Sequence, residues 1–320
     1  MKIYSFIDEF SSLLPCVFTL GFFDGVHIGH QKLIQFLTKN KESYCSVLLT
    51  FNIHPKEVLN PKKKIFYLNT LSERIYHLKK TGIEHLIIHP FTLNFSKLSI
   101  KYFLQKILLS KLKIKKIITG YDSHIGKDKV KTFYHLKKIS NFYRFQLYKV
   151  HPYKFEKKII SSTLIRKSIL KGNMKWANKA LGYLYTLSGY VIKGNGIGKK
   201  LNFPTANIKI NEKKIIPKKG VYAVKIHLFN HIYQGMMNIG ICPTINNNNT
   251  LLKIEVHIFN FKKNIYGKKL DIGVIQIIRK EFKFNTLYEL KKQIQKDQFK
   301  IKKLFFYDQK NFSINPIFIK

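Results

Sequence analysis

The apolar pattern of this chain changes period near residue 184, and that change constrains the fold more than any other feature. Before it, strand-like runs alternate with helical ones. The runs Val17–Leu20, Val47–Phe51, Leu86–His89, Ile117–Thr119 and Phe145–Val150 are separated by helical patterns at Gln31–Thr38, Ser72–Lys80, Ile100–Leu112 and Lys129–Phe142. Such alternation predicts an α/β domain, a parallel sheet with helices on both faces. Ser72, Glu73 and Arg74 start one of the helices and Gly82 ends it. After Tyr185 only short β runs remain, broken by Gly, Pro and Asn: Leu187–Ile192, Ala206–Ile210, Val221–Leu228, Ile232–Asn238, Leu252–Phe259 and Leu270–Ile278. These predict a small antiparallel β-barrel. One charged helix closes it, Thr286–Leu304, with Leu287, Leu290, Ile294 and Ile301 on its apolar stripe. The expected domains are 1–184 and 185–320, with a loosely held tail after Tyr307.

Charge brings in a second class of function. The 320 residues carry a formal net charge of +41, which fits a basic nucleic-acid-binding protein. Yet 54 of the 58 basic residues are lysine (58 minus Arg74, Arg144, Arg166 and Arg279), spread along the whole chain. A reader of phosphate backbones would carry more arginine, with its planar bidentate fork. The charge is therefore read as compositional drift, and no specific nucleic-acid partner is expected. No apolar run reaches 18 residues, and Asp8 and Glu9 stand where a signal peptide would be apolar. No membrane association is expected, and the location read is cytoplasmic. Cys16, Cys45 and Cys242 are far apart in sequence and form no disulfide framework, in keeping with a reducing compartment.

The chemistry of the first half starts at residues 21–30, Gly-Phe-Phe-Asp-Gly-Val-His-Ile-Gly-His. A strand leads in and a helix leads out, so His27 and His30 share one face of a first helical turn whose N–H groups are unpaired. That is a phosphate site. A metal at the two histidines lacks a third ligand at suitable spacing. Further on, Ser161-Ser162-Thr163-Leu164-Ile165-Arg166 offers a Ser162 or Thr163 helix cap, with Arg166 one turn later able to grip a polyphosphate.

His27-Ile28-Gly29-His30 resembles the HxGH signature of nucleotidylyltransferases. The longer string from Gly21 to Ile34 resembles the adenylyltransferase module of bacterial bifunctional riboflavin kinase/FAD synthetases. Thr50–Pro55, Phe91–Ser99, Gly120-Tyr121-Asp122 and Ser161–Arg166 resemble that family's later motifs, in order. The chain departs at Ile53, where proline is common, and at Ser123-His124-Ile125-Gly126, which replaces a stretch usually carrying two aromatics. The resemblance implies that Gly21, Phe22, Phe23, His27, Gly29, His30, Ser162, Thr163 and Arg166 serve ATP, and that Asp122 serves the flavin.

In the second half, Gly194-Asn195-Gly196-Ile197-Gly198-Lys199 fails as GxGxxG, because Lys199 replaces the third glycine. It fails as a P-loop as well, and no helix is expected after it because Pro204 intervenes. A β loop covering ATP phosphates through Gly194 and Gly196 remains. Leu201–Asn207 resembles the PTAN signature of riboflavin kinases, with Asn202 where glycine is usual. On an extended strand Thr205 and Asn207 point to one side, a hydroxyl and an amide suited to metal and phosphate. Glu255-Val256-His257-Ile258-Phe259 resembles the family's next strand, with Glu255 and His257 opposite the apolar Ile254, Val256 and Ile258. The resemblance implies Glu255 as general base, Thr205 and Asn207 as metal ligands, and Arg279 beside the flavin.

The implied activity is riboflavin to FMN and then FMN to FAD, with ATP consumed in each step and Mg²⁺ as the metal. An HxGH enzyme with another phosphorylated acceptor and a basic nucleic-acid-binding protein stand as the alternatives.

Overall fold

The structure is a computed structural model that describes residues 1–39, 43–121, 132–194, 196–242 and 251–308. Its contacts divide into two compact units, Met1–Ser162 and Thr163–Lys320.

The first unit is a parallel sheet of β1 (Lys2–Tyr4), β2 (Cys16–Leu20), β3 (Cys45–Phe51), β4 (His85–His89), β5 (Ile114–Thr119) and β6 (Gln146–Lys149), in the order β1-β4-β3-β2-β5-β6. The helices are α1 (Ile28–Leu37), α2 (Pro55–Leu59), α3 (Leu71–Lys80), α4 (Leu93–Ser96), α5 (Ile100–Tyr102) and α6 (Thr132–Phe142). A π-helical stretch, Phe103–Lys111, continues α5, and a small hairpin follows β6, β7 (Lys154–Phe155) and β8 (Lys158–Ile159). Every residue of β3 is buried because both faces of the sheet are covered. Val47 and Leu49 pack on one side with Phe18, Leu104 and Leu108. Leu48 packs on the other with Val17, Ile34, Leu37 and Leu78. Full burial of a side chain such as Ile34 stabilises the fold by about 1.5–3 kcal/mol.

Strand order reverses beside β2: β3 and β4 extend the sheet one way, and β5 returns to β2's other edge. Ligands bind at the carboxyl ends of strands at such a point. The 21–30 turn follows β2, and Gly120 follows β5. Two expectations are corrected. A sixth strand, β1, pairs with β4 at the edge. The cap of α3 is Thr70, which closes a capping box with Glu73, so Ser72 lies inside the helix. Cys16 and Cys45, distant in sequence, are register partners with Sγ atoms 2.9 Å apart, both buried and unbridged.

The second unit is a closed six-stranded antiparallel barrel of β9 (Tyr185–Ile192), β10 (Ala206–Ile210), β11 (Gly220–Leu228), β12 (His231–Cys242), β13 (Leu251–Ile258) and β14 (Lys269–Lys280). Leu187, Tyr222, Val224, Ile226, Met237, Ile239, Val256, Ile272 and Val274 are buried along these strands. Of the helices α7 (Ser162–Leu170), α8 (Met174–Leu181), α9 (Ile197–Lys200) and α10 (Leu287–Asp308), α8 is stitched to the barrel by Asn178. Asn178 Nδ2 donates to the carbonyls of Val274 (2.9 Å) and Ile275 (3.2 Å), and its Oδ1 accepts from the Tyr185 N–H (2.8 Å). Helix α10 covers part of the barrel's outside, where Ile301 and Phe305 join Val221, Ala223, Met236 and Ile275. Its stripe starts later than expected: Leu287 is exposed, and the buried face runs on to Phe305. No described helix is long and apolar enough to cross a membrane.

Candidate active sites

The turn between β2 and α1 is held from several directions. Phe23 and Val26 adopt left-handed backbone, with φ of 55° and 33°, around Gly25 at 80°. For a β-branched valine that is costly, and such strain persists only where the surroundings over-determine it. Here they do. The Phe22 carbonyl accepts from Thr50 Oγ1 (3.2 Å) and Arg74 Nη1 (2.9 Å). The Asp24 carboxylate accepts the Leu68 N–H (3.0 and 3.1 Å) and the Asn69 N–H (3.1 Å). Gln31 Nε2 donates to the Val26 carbonyl (2.8 Å).

His27 is the N-cap of α1, and its Nδ1 accepts the His30 N–H at 3.3 Å. That fixes the ring proton of neutral His27 on Nε2. The two imidazoles stack with centroids 3.6 Å apart, and Phe23 meets His30 edge-on. His30 Nδ1 is buried without a hydrogen-bond partner among the described residues. Burial, with His27 adding to it, holds the His30 pKa well below the ordinary histidine range. A Cβ on Gly29 would come within 3.2 Å of the His27 ring, so a glycine lets the capping imidazole lie flat. A Cβ on Gly21 would press on the Phe23 ring at 3.0 Å.

Arg74 is the residue that sequence reasoning missed here. It entered only as a helix starter, yet it is 2% exposed and stacked on Phe22, 4.1 Å from the ring. Its guanidinium also donates to the Phe51 carbonyl. Burial lowers its pKa to about 10, against the opposing pull of Asp24. Ser162 and Thr163 stand in the first turn of α7 rather than before it, and Ser162 Oγ donates to the Asp24 carbonyl at 2.9 Å. Arg166 is half-buried one turn further along α7. At the ends of β3 and β4, Phe51, Phe91, Phe95 and His89 form an aromatic cluster with centroids 4.9–5.9 Å apart. A cavity of about 450 Å³ opens beside it, with Phe6, His89, Thr92 and Phe95 among its walls. Asp122 and Ser123–Gly126 lie outside the described residues.

On the barrel, pairing aligns the predicted residues across three strands. Asn207 on β10 is opposite Glu255 on β13, which is opposite Asn238 on β12. Directly paired residues share a face. Ile254, Val256 and Ile258 are buried, so this row lies on the barrel's other, outer face, as the alternation of β13 predicted. Asn238 adds a polar group that only the register reveals. Lys253 Nζ lies 2.8 Å from Glu255 Oε1, and both side chains are about a quarter exposed.

The glycine-rich loop lies against this row. A Cβ on Gly194 would fall 1.9 Å from Asn207 Nδ2, and one on Gly198 would fall 2.4 Å from the Phe203 carbonyl oxygen. Contrary to expectation a single helical turn, α9, does follow Gly196. It is closed by Phe203 N–H to the Gly198 carbonyl at 2.8 Å. Asn202 has φ 65°, so the departure from glycine is filled by a residue type tolerant of left-handed backbone. Asn207 Oδ1 is buried without a hydrogen-bond partner among the described residues. The glycine-rich loop packs on both residues, Gly194 against Asn207 and Gly198 near Thr205 Oγ1, and their side-chain oxygens are of the hard kind that a magnesium–phosphate pair takes. Arg279, by contrast, is committed: Nε donates to Asp297 Oδ2 (2.7 Å), Nη1 donates to the Lys280 carbonyl, and the guanidinium stacks on Phe282 at 4.5 Å. Among the described residues no cluster of three or more His, Cys, Asp or Glu could hold a metal.

Comparison with known proteins gives two separate family matches. The FAD synthetase family model matches residues 10–164, and the riboflavin kinase model matches 181–305. A bifunctional riboflavin kinase/FMN adenylyltransferase of Buchnera aphidicola from Schizaphis graminum is 40% identical over 291 residues, covering 90% of this chain and 93% of that one. Its Listeria monocytogenes counterpart is 37% identical, covering 91% and 92%. A solved structure from Streptococcus pneumoniae, described as a macrolide-efflux protein, is 31% identical with a TM-score of 0.86, covering 94% of this chain and 98% of that one.

Proposed function

The chain belongs to the family of bifunctional riboflavin kinase/FMN adenylyltransferases, which make FMN from riboflavin and FAD from FMN, and we propose how its residues divide the two steps. We set the functional boundary at 184/185, where the barrel's first strand begins at Tyr185; the FAD synthetase match ends at 164 and the riboflavin kinase match begins at 181. The enzyme is assigned to the cytoplasm, where unbridged thiols such as Cys16 and Cys45 are the rule.

In the kinase step, Glu255 takes the proton of the riboflavin 5′-hydroxyl. The oxygen attacks the γ-phosphorus of ATP, and ADP leaves. Lys253 keeps the carboxylate turned along the strand. Thr205 and Asn207 hold the ATP phosphates and would hold a Mg²⁺ with them, which would supply charge neutralisation at the transferring phosphoryl group. Gly194 and Gly196 let the loop lie over those phosphates. Arg279 serves the flavin through the aromatic pair Phe282 and Phe284, which it stacks against.

In the adenylyl step, the FMN phosphate attacks the α-phosphorus of the second ATP and pyrophosphate leaves. No proton needs to move, because the nucleophile is already anionic. The catalytic burden is alignment and charge stabilisation. His27, His30 and the backbone around Gly21–Phe23 and Gly29 hold the triphosphate; Ser162, Thr163 and Arg166 are assigned to ATP by the family motif they match. A divalent metal bound with the triphosphate would supply charge neutralisation for the leaving pyrophosphate. The FMN ring lies on the aromatic cluster of Phe51, Phe91 and Phe95, and the family resemblance assigns Asp122 to the flavin.

The observation that carries this division is the buried, unpartnered Asn207 oxygen next to Glu255 under the glycine loop. Its test is riboflavin phosphorylation by the variants Thr205→Val and Asn207→Leu across ATP and Mg²⁺ titrations. Each is expected to raise the KM for ATP about tenfold or more, the equivalent of about 1.4 kcal/mol, while adenylylation of supplied FMN is unchanged. An unaltered KM for ATP in both variants would reject the assignment.

A further inference from the structure

We propose that His257 is a positioning residue of the kinase site, holding the Pro204–Thr205 turn and so setting where the Thr205 hydroxyl stands. The inference rests on the assignment of Thr205 to the ATP phosphates and deepens it. The ladder between β10 and β13 has two pairs, Ala206 with Val256 and Asn207 with Glu255. Continued in register it would set Thr205 opposite His257, but the pairing stops at Ala206, and Pro204 has no N–H with which to extend it. A side chain takes over. His257 Nδ1 lies 2.8 Å from the Pro204 carbonyl oxygen, across 53 residues of sequence.

A carbonyl only accepts, so Nδ1 carries the proton. The ring is 9% exposed, edge-on to Phe203 (5.5 Å) and Phe259 (5.6 Å). Burial lowers its pKa, with the Lys302 charge acting in the same sense and the bond to the Pro204 carbonyl opposing it. His257 therefore donates from Nδ1 to this carbonyl. Sequence alternation placed it beside Glu255 as a polar outward residue. The structure instead gives it a buried bond to the residue before Thr205.

The tolerance at that point is small. The Cα of Gly198 packs so closely that a Cβ there would be 3.0 Å from Thr205 Oγ1 and 2.4 Å from the Phe203 carbonyl. Without the His257 bond the segment loses the hydrogen bond that ties it to β13 beyond Ala206, and the Pro204 carbonyl loses its His257 partner. A displacement of about 1 Å in a positioning group costs up to about 10²-fold in rate.

Three substitutions separate positioning from bulk. Asn at 257 carries an amide N–H₂ at the Nδ1 position, Gln carries it at the Nε2 position, and Leu has none. Riboflavin phosphorylation, FMN adenylylation and backbone hydrogen exchange of the 203–207 segment are measured on the full-length variants. His257→Leu is expected to raise the KM for ATP in the kinase step about tenfold with a smaller change in kcat, and to speed exchange at 203–207 but not in β11. FMN adenylylation in the same sample is unchanged. His257→Asn stays within about threefold of the parent, and His257→Gln behaves as His257→Leu. Wild-type KM and exchange in His257→Leu, or equal behaviour of the Asn and Gln variants, would overturn the proposal. The Asn and Gln comparison decides even if the Leu variant fails to fold. Thr205→Val acts separately: if it leaves the KM for ATP unchanged, the assignment of Thr205 fails whatever happens at 257.

Discussion

At the scale of the residue, His30 is a base whose surroundings refuse its charge. Burial among His27 and Phe23 favours the neutral ring. The unfolded chain has no such penalty and takes up a proton below about pH 6.5. Protons bound only by the unfolded state destabilise the fold, so the stability is fully present above that pH and is lost as the pH falls toward the folded pKa. His85 and His89 in the same unit are also lowered by burial and act in the same sense. The melting temperature is expected to fall between pH 7 and pH 5, and to fall less in His30→Gln. Equal slopes in the two proteins would contradict this account of His30.

The placement of His27 and His30 in one helical turn, and of Glu255 opposite the apolar residues of its strand, was legible from spacing, whereas their roles come from the family resemblance. The placement of Arg74 was not legible. Its partners Phe22 and Phe51 are 52 and 23 positions away, and only the folded sheet brings them together.

At the scale of the element, α10 is the informative case. Its apolar stripe was readable from helical spacing, but which turns are covered depends on the barrel beneath. Leu287 overhangs the barrel and is exposed, while Phe305 is buried against it. The helix is also fixed by charge. Asp297 is 1% exposed, accepts from Arg279 at 2.7 Å and from Gln293 Nε2 at 2.8 Å, and so ties α10 to the end of β14. Removing one partner of such a pair leaves the other charge without compensation. Asp297→Ala is expected to destabilise the barrel unit by about 3 kcal/mol and to raise the KM for riboflavin more than that for ATP. Chemical denaturation and steady-state kinetics check this; an unshifted midpoint with both KM values unchanged would refute it. The edge strand β1 was illegible for a different reason. Three residues are too few to show a period, and β1 exists because β4 offers an edge to pair with.

At the scale of the whole molecule, the change of period near residue 184 announced two architectures, and the structure contains both: a parallel sheet with a strand-order reversal at β2, and a closed antiparallel barrel. Each carries its own motif set and its own family match. What the sequence left open was register. The row Asn207–Glu255–Asn238 follows from pairing across three strands and cannot be read along any one of them. The central claim is that the two reactions run on separate residues, His30 in one unit and Glu255 in the other. The direct test is to supply His30→Ala and Glu255→Ala with either riboflavin or FMN, together with ATP and Mg²⁺, and to resolve FMN and FAD by chromatography. The account predicts that His30→Ala converts riboflavin to FMN and stops there, whereas Glu255→Ala leaves riboflavin unchanged yet makes FAD from supplied FMN. Loss of both steps in both variants would contradict it.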